Sequence, residues 1–200
     1  MGLTGVNATD VATIVTTLEM RTRPDPQPLP ESPLRLVRLE RPTPDRYRAL
    51  FRAVGERWLW FSRLVKDDRA LIAIIHDPDV AVFAAVDEAG NDAGMLELDF
   101  RRAGECELGY FGLVPDLAGQ RIGRWLMAEA LDRAWGAPGV KRVWVHTCTL
   151  DHPSALNFYR ASGFTAIART IETFADPRLL GILPDSAGPH IPRLSASASR

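Results

Sequence analysis

Between Val80 and Val114 the chain reads as three short apolar strands in succession, Val80 to Val86, Met95 to Phe100 and Glu107 to Val114. Turn residues part them at Glu88 to Asp92 and near Gly104. Strands this close in sequence can join only as hairpins, because a parallel crossover needs about a dozen residues or more. The chain therefore carries an antiparallel meander, and its other elements must pack on that sheet.

Those elements can be read on either side of it. Leu34 to Leu39 alternates apolar and basic residues, as a half-exposed strand does. Thr43-Pro44-Asp45 supplies a cap, a proline at the first helical position and an acid in the first turn, and Tyr47, Leu50, Phe51 and Val54 follow at helical spacing up to Gly55. A second apolar helix, about Asp68 to His76, stops against Asp77-Pro78. After the meander, Ile122, Leu126, Met127, Ala130, Leu131 and Ala134 form one helical stripe. Lys141 to Thr149 reads as a buried strand, Pro153 to Ser162 as a short helix closed by Gly163, and the stretch from Phe164 to about Phe174 as a last strand. This order predicts an α+β (mixed α/β) fold, a central, mostly antiparallel sheet with helices on both faces.

Residues 1–33 form an N-terminal arm. Its β-branched run, Val11 to Thr17, suits an added edge strand or a short helix, and the prolines from Pro24 to Pro30 make an extended connector. Residues 34–174 are the main domain, 175–194 a C-terminal extension packed on it, and 195–200 a Ser/Ala tail with nothing to bury, expected to be disordered. Net charge is −1 with Lys and Arg dispersed, which leaves no footprint for a nucleic-acid backbone. No apolar run approaches the roughly 20 residues of a membrane span, and the start lacks a leader pattern, so a cytoplasmic protein with no membrane partner is expected. Cys106, Cys148 and the four histidines do not stand at metal-ligand spacing, so no metal is expected.

The most informative stretch is Tyr110 to Met127, an apolar strand that leads through a glycine-containing turn into an amphipathic helix. Unpaired amides and the macrodipole at such a helix start can hold a pyrophosphate, and Arg121 and Arg124 could pair with it. The run Leu113-Val114-Pro115-Asp116-Leu117-Ala118-Gly119-Gln120-Arg121-Ile122-Gly123-Arg124 resembles the acetyl-CoA signature of the GNAT acetyltransferases. Ala118 replaces the usual Arg or Gln there, and Arg121 the usual middle Gly. Downstream, Thr147 to Phe164 is similar to the strand, loop and helix of that family ending in Tyr-x-x-x-Gly-Phe, with His152 where Asn is usual. The resemblance covers roughly residues 34 to 174.

The resemblance implies an N-acetyltransferase that moves acetyl from acetyl-CoA to a primary amine by direct attack. The acceptor would be a small-molecule amine or a protein amine, and a homodimer is allowed. It implies cofactor contacts at Leu113, Val114, Ala118, Gly119, Gln120, Arg121, Ile122, Gly123, Arg124 and His152, with main-chain groups of Leu113 and Val114 along the pantetheine arm. It gives Tyr159 the general-acid role and makes Glu107 and Glu97 candidates for the base. Asp99 competes with them, and with the aromatic run holding Trp58 and Trp60 it borders the acceptor region. Two apart, Trp58 and Trp60 form one wall only if that segment is extended. Cys148 suggests a covalent route, which direct transfer disfavours; His146 and His152 could shuttle protons. The alternative is a non-catalytic acyl-CoA sensor of the same fold, while a dinucleotide-binding Rossmann protein fits poorly with the meander.

Overall fold

The computed structural model describes residues 2–194; the tail at 195–200 lies outside them. Seven strands form one sheet: β1 Asp10–Met20, β2 Arg35–Arg38, β3 Val80–Val86, β4 Asp92–Asp99, β5 Glu105–Leu113, β6 Arg142–Cys148 and β7 Thr165–Ala175. Four α-helices accompany them: α1 Pro44–Gly55, α2 Asp68–Ile75, α3 Ile122–Gly136 and α4 Ala155–Ala161. The sheet order is β2-β3-β4-β5-β6-β1-β7, antiparallel except for the β5·β6 pair. This is the mixed α+β architecture expected from the pattern.

The helices divide between the two faces because each strand alternates its side chains. On β3, Val80, Val82, Ala84 and Val86 pack with Tyr47, Leu50 and Phe51 of α1 and Leu71 and Ile75 of α2. On the opposite face Ala81, Phe83 and Ala85 join Trp125, Leu126 and Ala130 of α3 and Tyr159 of α4. β3 is therefore buried along its whole length. α1 starts as its sequence requires, with the Thr43 side chain accepting from Arg46 N–H and Pro44 in the first turn.

The N-terminal run is neither an edge strand nor a helix. β1 lies inside the sheet, antiparallel to β6 through Val15–Cys148 to Met20–Val143 and to β7 through Asp10–Ala175 to Glu19–Thr165. With hydrogen-bonded neighbours on both edges, β1 is an interior strand, where β-branched residues are favoured. From β1 to β2 the connector must cross five strand spacings, about 24 Å. An extended chain over residues 21–34 reaches that far at roughly 3.3 Å per residue. β7 is then held to the sheet by β1 alone, and it forms an edge whose residues are mostly exposed.

After β7 the chain turns back toward Leu59. Asp176 and Arg178 form a buried ion pair, and Arg178 Nη1 also donates to the carbonyls of Ala187 and Ile191. Leu183 and Ala187 close a small core with Leu59. Because Leu18 of β1 is fully buried among α3-side residues, Leu18→Ala is expected to lower unfolding free energy by about 2–5 kcal/mol. Urea denaturation followed by circular dichroism measures it. A loss no larger than that of Ile171→Ala, an exposed position on β7, would show that β1 does not anchor the sheet.

Candidate active site

β5 and β6 are in register over only three pairs, Glu105–Arg142, Cys106–Val143 and Glu107–Trp144. Beyond Glu107 the two strands part, and a register shift between Glu97 and Leu98 on β4 bends β5 at the same place. The slot so opened is part of a cavity of about 560 Å³. Leu108 to Leu113 line it from β5, and Val145, His146 and Cys148 from β6.

Main-chain groups on the slot side follow from the ladder. Val114 N–H donates to Ala93 O and Val114 O accepts from Leu117 N–H, so both Val114 groups are committed. That corrects the expectation of a free main chain at Val114. In an antiparallel ladder alternate residues face the same neighbour, so Gly112 and Tyr110 also point to β4 while Leu113 and Phe111 turn toward the slot.

At the end of β5 the chain turns through Pro115 to Leu117 into the loop before α3. Gly119 has φ +81° and Arg121 φ +64°, and Arg121 is the residue before the first turn of α3 with no side-chain cap on that turn. Arg124 N–H donates to Arg121 O, and the amides of Ile122 and Gly123 are left for another acceptor. Ala118, Gly119, Arg121, Gly123 and Arg124 line the cavity; Gln120 turns back to Asp116 O, and Ile122 is buried in the core. These last two serve the loop's shape. Left-handed backbone at a non-glycine residue costs about 1 kcal/mol or more, which explains why glycine is usual at this position in the pattern.

Tyr159 is buried, lines the same cavity, and packs its ring against Phe111, Phe158 and Phe164. Burial, helped by the charge of Asp151, pushes its phenol well above the ordinary value, so the hydroxyl keeps its proton at neutral pH. Glu107 faces the opposite side of the sheet from Leu108 and sits 3.1 Å from His146 Nδ1. Its hydrogen bond raises the imidazole pKa against the opposing effect of burial, and Asp151 and Glu172 add to the rise. Cys148 also lines the cavity, but burial and Asp151 raise its thiol, which disfavours a thiolate nucleophile.

Glu97 has a structural place instead. It is 1% exposed, accepts from Tyr47 Oη at 2.5 Å and pairs with Arg63 at 2.5 Å. With its lone pairs engaged beneath the sheet it cannot receive a substrate proton without breaking that network. Asp99 is likewise held by Arg101 and does not line the cavity. Neither matches its expected role.

Trp58 and Trp60 both line the cavity, though not through an extended segment. Residues 56–58 form a 3-10 turn, and Leu59 takes φ +57°, which reverses the chain between the two indoles. Trp60 wedges against Phe51 and Tyr110 and directs Nε1 to Asp151 Oδ1 at 3.3 Å. A Cβ on Gly55 would stand 2.2 Å from its ring, so only glycine admits it there. Trp58 meets the rings of His152 and His190 edge-on, which places His152 at the aromatic wall. His152 also lines the cavity and accepts from Ser154 through Nδ1.

Several lining residues were not foreseen: Thr13 and Val15 of β1, Glu172 and Phe174 of β7, and Asp151, which accepts from Thr147 Oγ1 and Cys148 N–H. Only Asp151 had a local signal, its place between Leu150 and His152 in the second motif. The others reach the cavity because β1 inserts beside β6. Among the described residues no cluster of three His, Cys, Asp or Glu could hold a metal, and no helix is long and apolar enough to cross a membrane.

The model of the Acetyltransferase (GNAT) family matches residues 40–164, and the chain belongs to that family. Among solved structures it is similar to a GCN5-related N-acetyltransferase from Sphaerobacter thermophilus, at 18% identity and a TM-score of 0.61, over 81% of this chain and 51% of that one. The chain thus spans about half of that protein's length. It is also similar to the spermidine/spermine N-acetyltransferase SpeG of Vibrio cholerae, at 20% identity and TM-score 0.54 over 76% and 98% of the two chains. A third likeness is to an aminoglycoside acetyltransferase from an uncultured soil metagenomic sample in complex with sisomicin, at 19% and 0.55 over 70% and 93%. These likenesses show the fold. No curated protein sequence matches the chain.

The strain at Arg121 can be measured directly. Arg121→Gly is expected to raise the unfolding free energy of the free protein by about 1 kcal/mol, since glycine adopts positive φ without the Cβ clash. Thermal denaturation without ligand reads it, and a clear loss of stability would show that Arg121 contacts outweigh the backbone cost.

Proposed function

We propose that this member of the GNAT acetyltransferase family moves an acetyl group from acetyl-CoA to a primary amine by direct attack. The observation that carries the reading is the make-up of one cavity. Its lining joins an uncapped helix start flanked by Arg121 and Arg124, a slot between parting strands, a buried Tyr159, and an acidic and aromatic region with Asp151, Glu172, Trp58 and His146, the last backed by Glu107. Pyrophosphate suits the first, a narrow pantetheine-like chain the second, and an ammonium the last. Two neighbours named for acetylating spermidine or aminoglycosides support an amine acceptor.

Transfer to an amine requires removal of a proton from the ammonium, whose pKa is near 10, and delivery of one to the leaving sulfur. Acetyl-CoA supplies the thioester carbonyl. Tyr159, kept protonated by burial, donates toward the sulfur, and the Glu107 region receives the amine proton. Leu113 and Phe111 offer main-chain groups to an extended ligand in the slot, and Arg121 and Arg124 balance phosphate charge. A cationic amine on an apolar or aromatic body fits the acidic region best. A homodimer and a cytoplasmic setting belong to the same reading. The rival, a sensor that binds acyl-CoA without turnover, shares the phosphate end of the cavity but gives the acidic end no task.

CoA or acetyl-CoA is expected to raise the melting temperature, by linkage to the folded loop, and NAD is not. Tyr159→Phe should keep that shift and lower turnover at least about tenfold across an amine panel. Binding without turnover by the wild type would favour the sensor, and no shift at all would remove the acetyl-CoA reading. Trp58→Ala should raise KM for the amine several-fold with little change for acetyl-CoA, read by steady-state kinetics. An unchanged amine KM with reduced stability would make Trp58 a packing residue.

A further inference from the structure

We infer that His146, with Glu107 as its positioning partner, is the group that takes the proton from the acceptor amine. The inference rests on the acetyltransferase reading above and changes the role given there to Glu107.

The geometry comes first. Glu107 and His146 lie on β5 and β6 where the two strands begin to part, Glu107 within the last register pair, Glu107–Trp144, and His146 two residues beyond it. Glu107 Oε1 stands 3.1 Å from His146 Nδ1. A carboxylate only accepts, so this contact favours the tautomer with its proton on Nδ1, and in the neutral ring the lone pair is then on Nε2. No side chain or carbonyl among the described residues hydrogen-bonds that Nε2. The ring lines the cavity and its side chain is 49% exposed, so Nε2 can meet both a ligand and water. A carboxylate beside one ring nitrogen and an open second nitrogen form an arrangement suited to general-base work. Glu107, 22% exposed, is the more enclosed of the two.

The surroundings suit a cationic substrate. Besides Glu107 on β5, the charged groups facing His146 are Asp151 after β6 and Glu172 on β7, all carboxylates. The Tyr110 phenol of β5 lines the same cavity and stays neutral, since burial raises it. Thr17 is the β1 residue opposite His146 and is uncharged. The carboxylates draw an ammonium toward the ring. They also raise the imidazole pKa, with the Glu107 hydrogen bond the largest influence, which makes Nε2 a stronger base than free histidine.

The protons balance. The ammonium gives one proton to Nε2, and the half-exposed ring releases it to water. The neutral amine forms the N–C bond as the C–S bond breaks, and the sulfur takes the Tyr159 proton. The second proton shed by the nitrogen restores the phenol.

The test combines an NMR titration with kinetics. Wild-type His146, assigned by the imidazole signal missing in His146→Gln, should titrate above 6.5, and Glu107→Gln should move it down. The acid limb of kcat/KM for an amine should follow. It should lie above pH 6.5 in wild type, shift to lower pH in Glu107→Gln, and vanish in His146→Gln, where kcat falls about tenfold or more. The melting shift given by acetyl-CoA should remain in both variants. Added imidazole should restore part of the rate of His146→Ala. An acid limb unchanged in His146→Gln, or a His146 titration indifferent to Glu107→Gln, would overturn the inference while leaving acetyl transfer intact. Absence of turnover with every amine would instead remove the reading beneath it.

Discussion

Three residue pairs hold β5 to β6, and the site depends on their being so few. Parallel pairing carried to the ends of both strands would satisfy the main chain of Phe111 and Leu113 and fill the slot. Parting instead leaves those groups turned toward a cavity that residues of α3 and α4 also line. Divergence of this kind costs ladder hydrogen bonds, and what offsets it is packing elsewhere. β3 and β4 are buried on both faces, and the Tyr47–Glu97–Arg63 network ties α1 and the following loop to β4 directly beneath the bend. Glu97 is thus part of the frame that fixes the slot.

A second constraint acts from the far side. β1 fills the place between β6 and β7, so a strand from the start of the chain decides what stands across from His146 and Cys148. Through β1 the cavity gains Thr13 and Val15, and through β7 it gains Glu172 and Phe174. Phe174 packs on Phe61, and the extension after β7 supports Leu59 and Trp58 from behind. Elements that lie outside residues 40–164, the segment matched by the family, therefore shape the end of the cavity around His146 and Trp58, whereas the start of α3 lies within it.

Charge follows the same division. Arg121 and Arg124 stand at the helix start, where the macrodipole also favours an anion. Glu107, Asp151 and Glu172 surround His146, where an ammonium would be drawn. A chain with a net charge of −1 thus holds two local fields of opposite sign in one cavity. Composition averages over them, and for that reason the total charge said nothing of either.

The sequence by itself determined the elements and the glycine-containing turn before α3, because both depend on local chemistry. Caps, turn residues and side-chain period act within a few positions, so α1, α2, the meander and the Tyr110 to Met127 run were legible, as was Tyr159 in its motif. Only the tertiary structure decided what depends on distant partners. Glu97, Asp99 and Glu107 are alike in sequence as acids on neighbouring strands, yet Arg63, Arg101 and His146 respectively give them different surroundings. The place of β1 was undecided for the same reason. Its β-branched run is compatible with an edge or an interior, and the choice rests on β6 and β7, more than a hundred residues away, being free to pair with it.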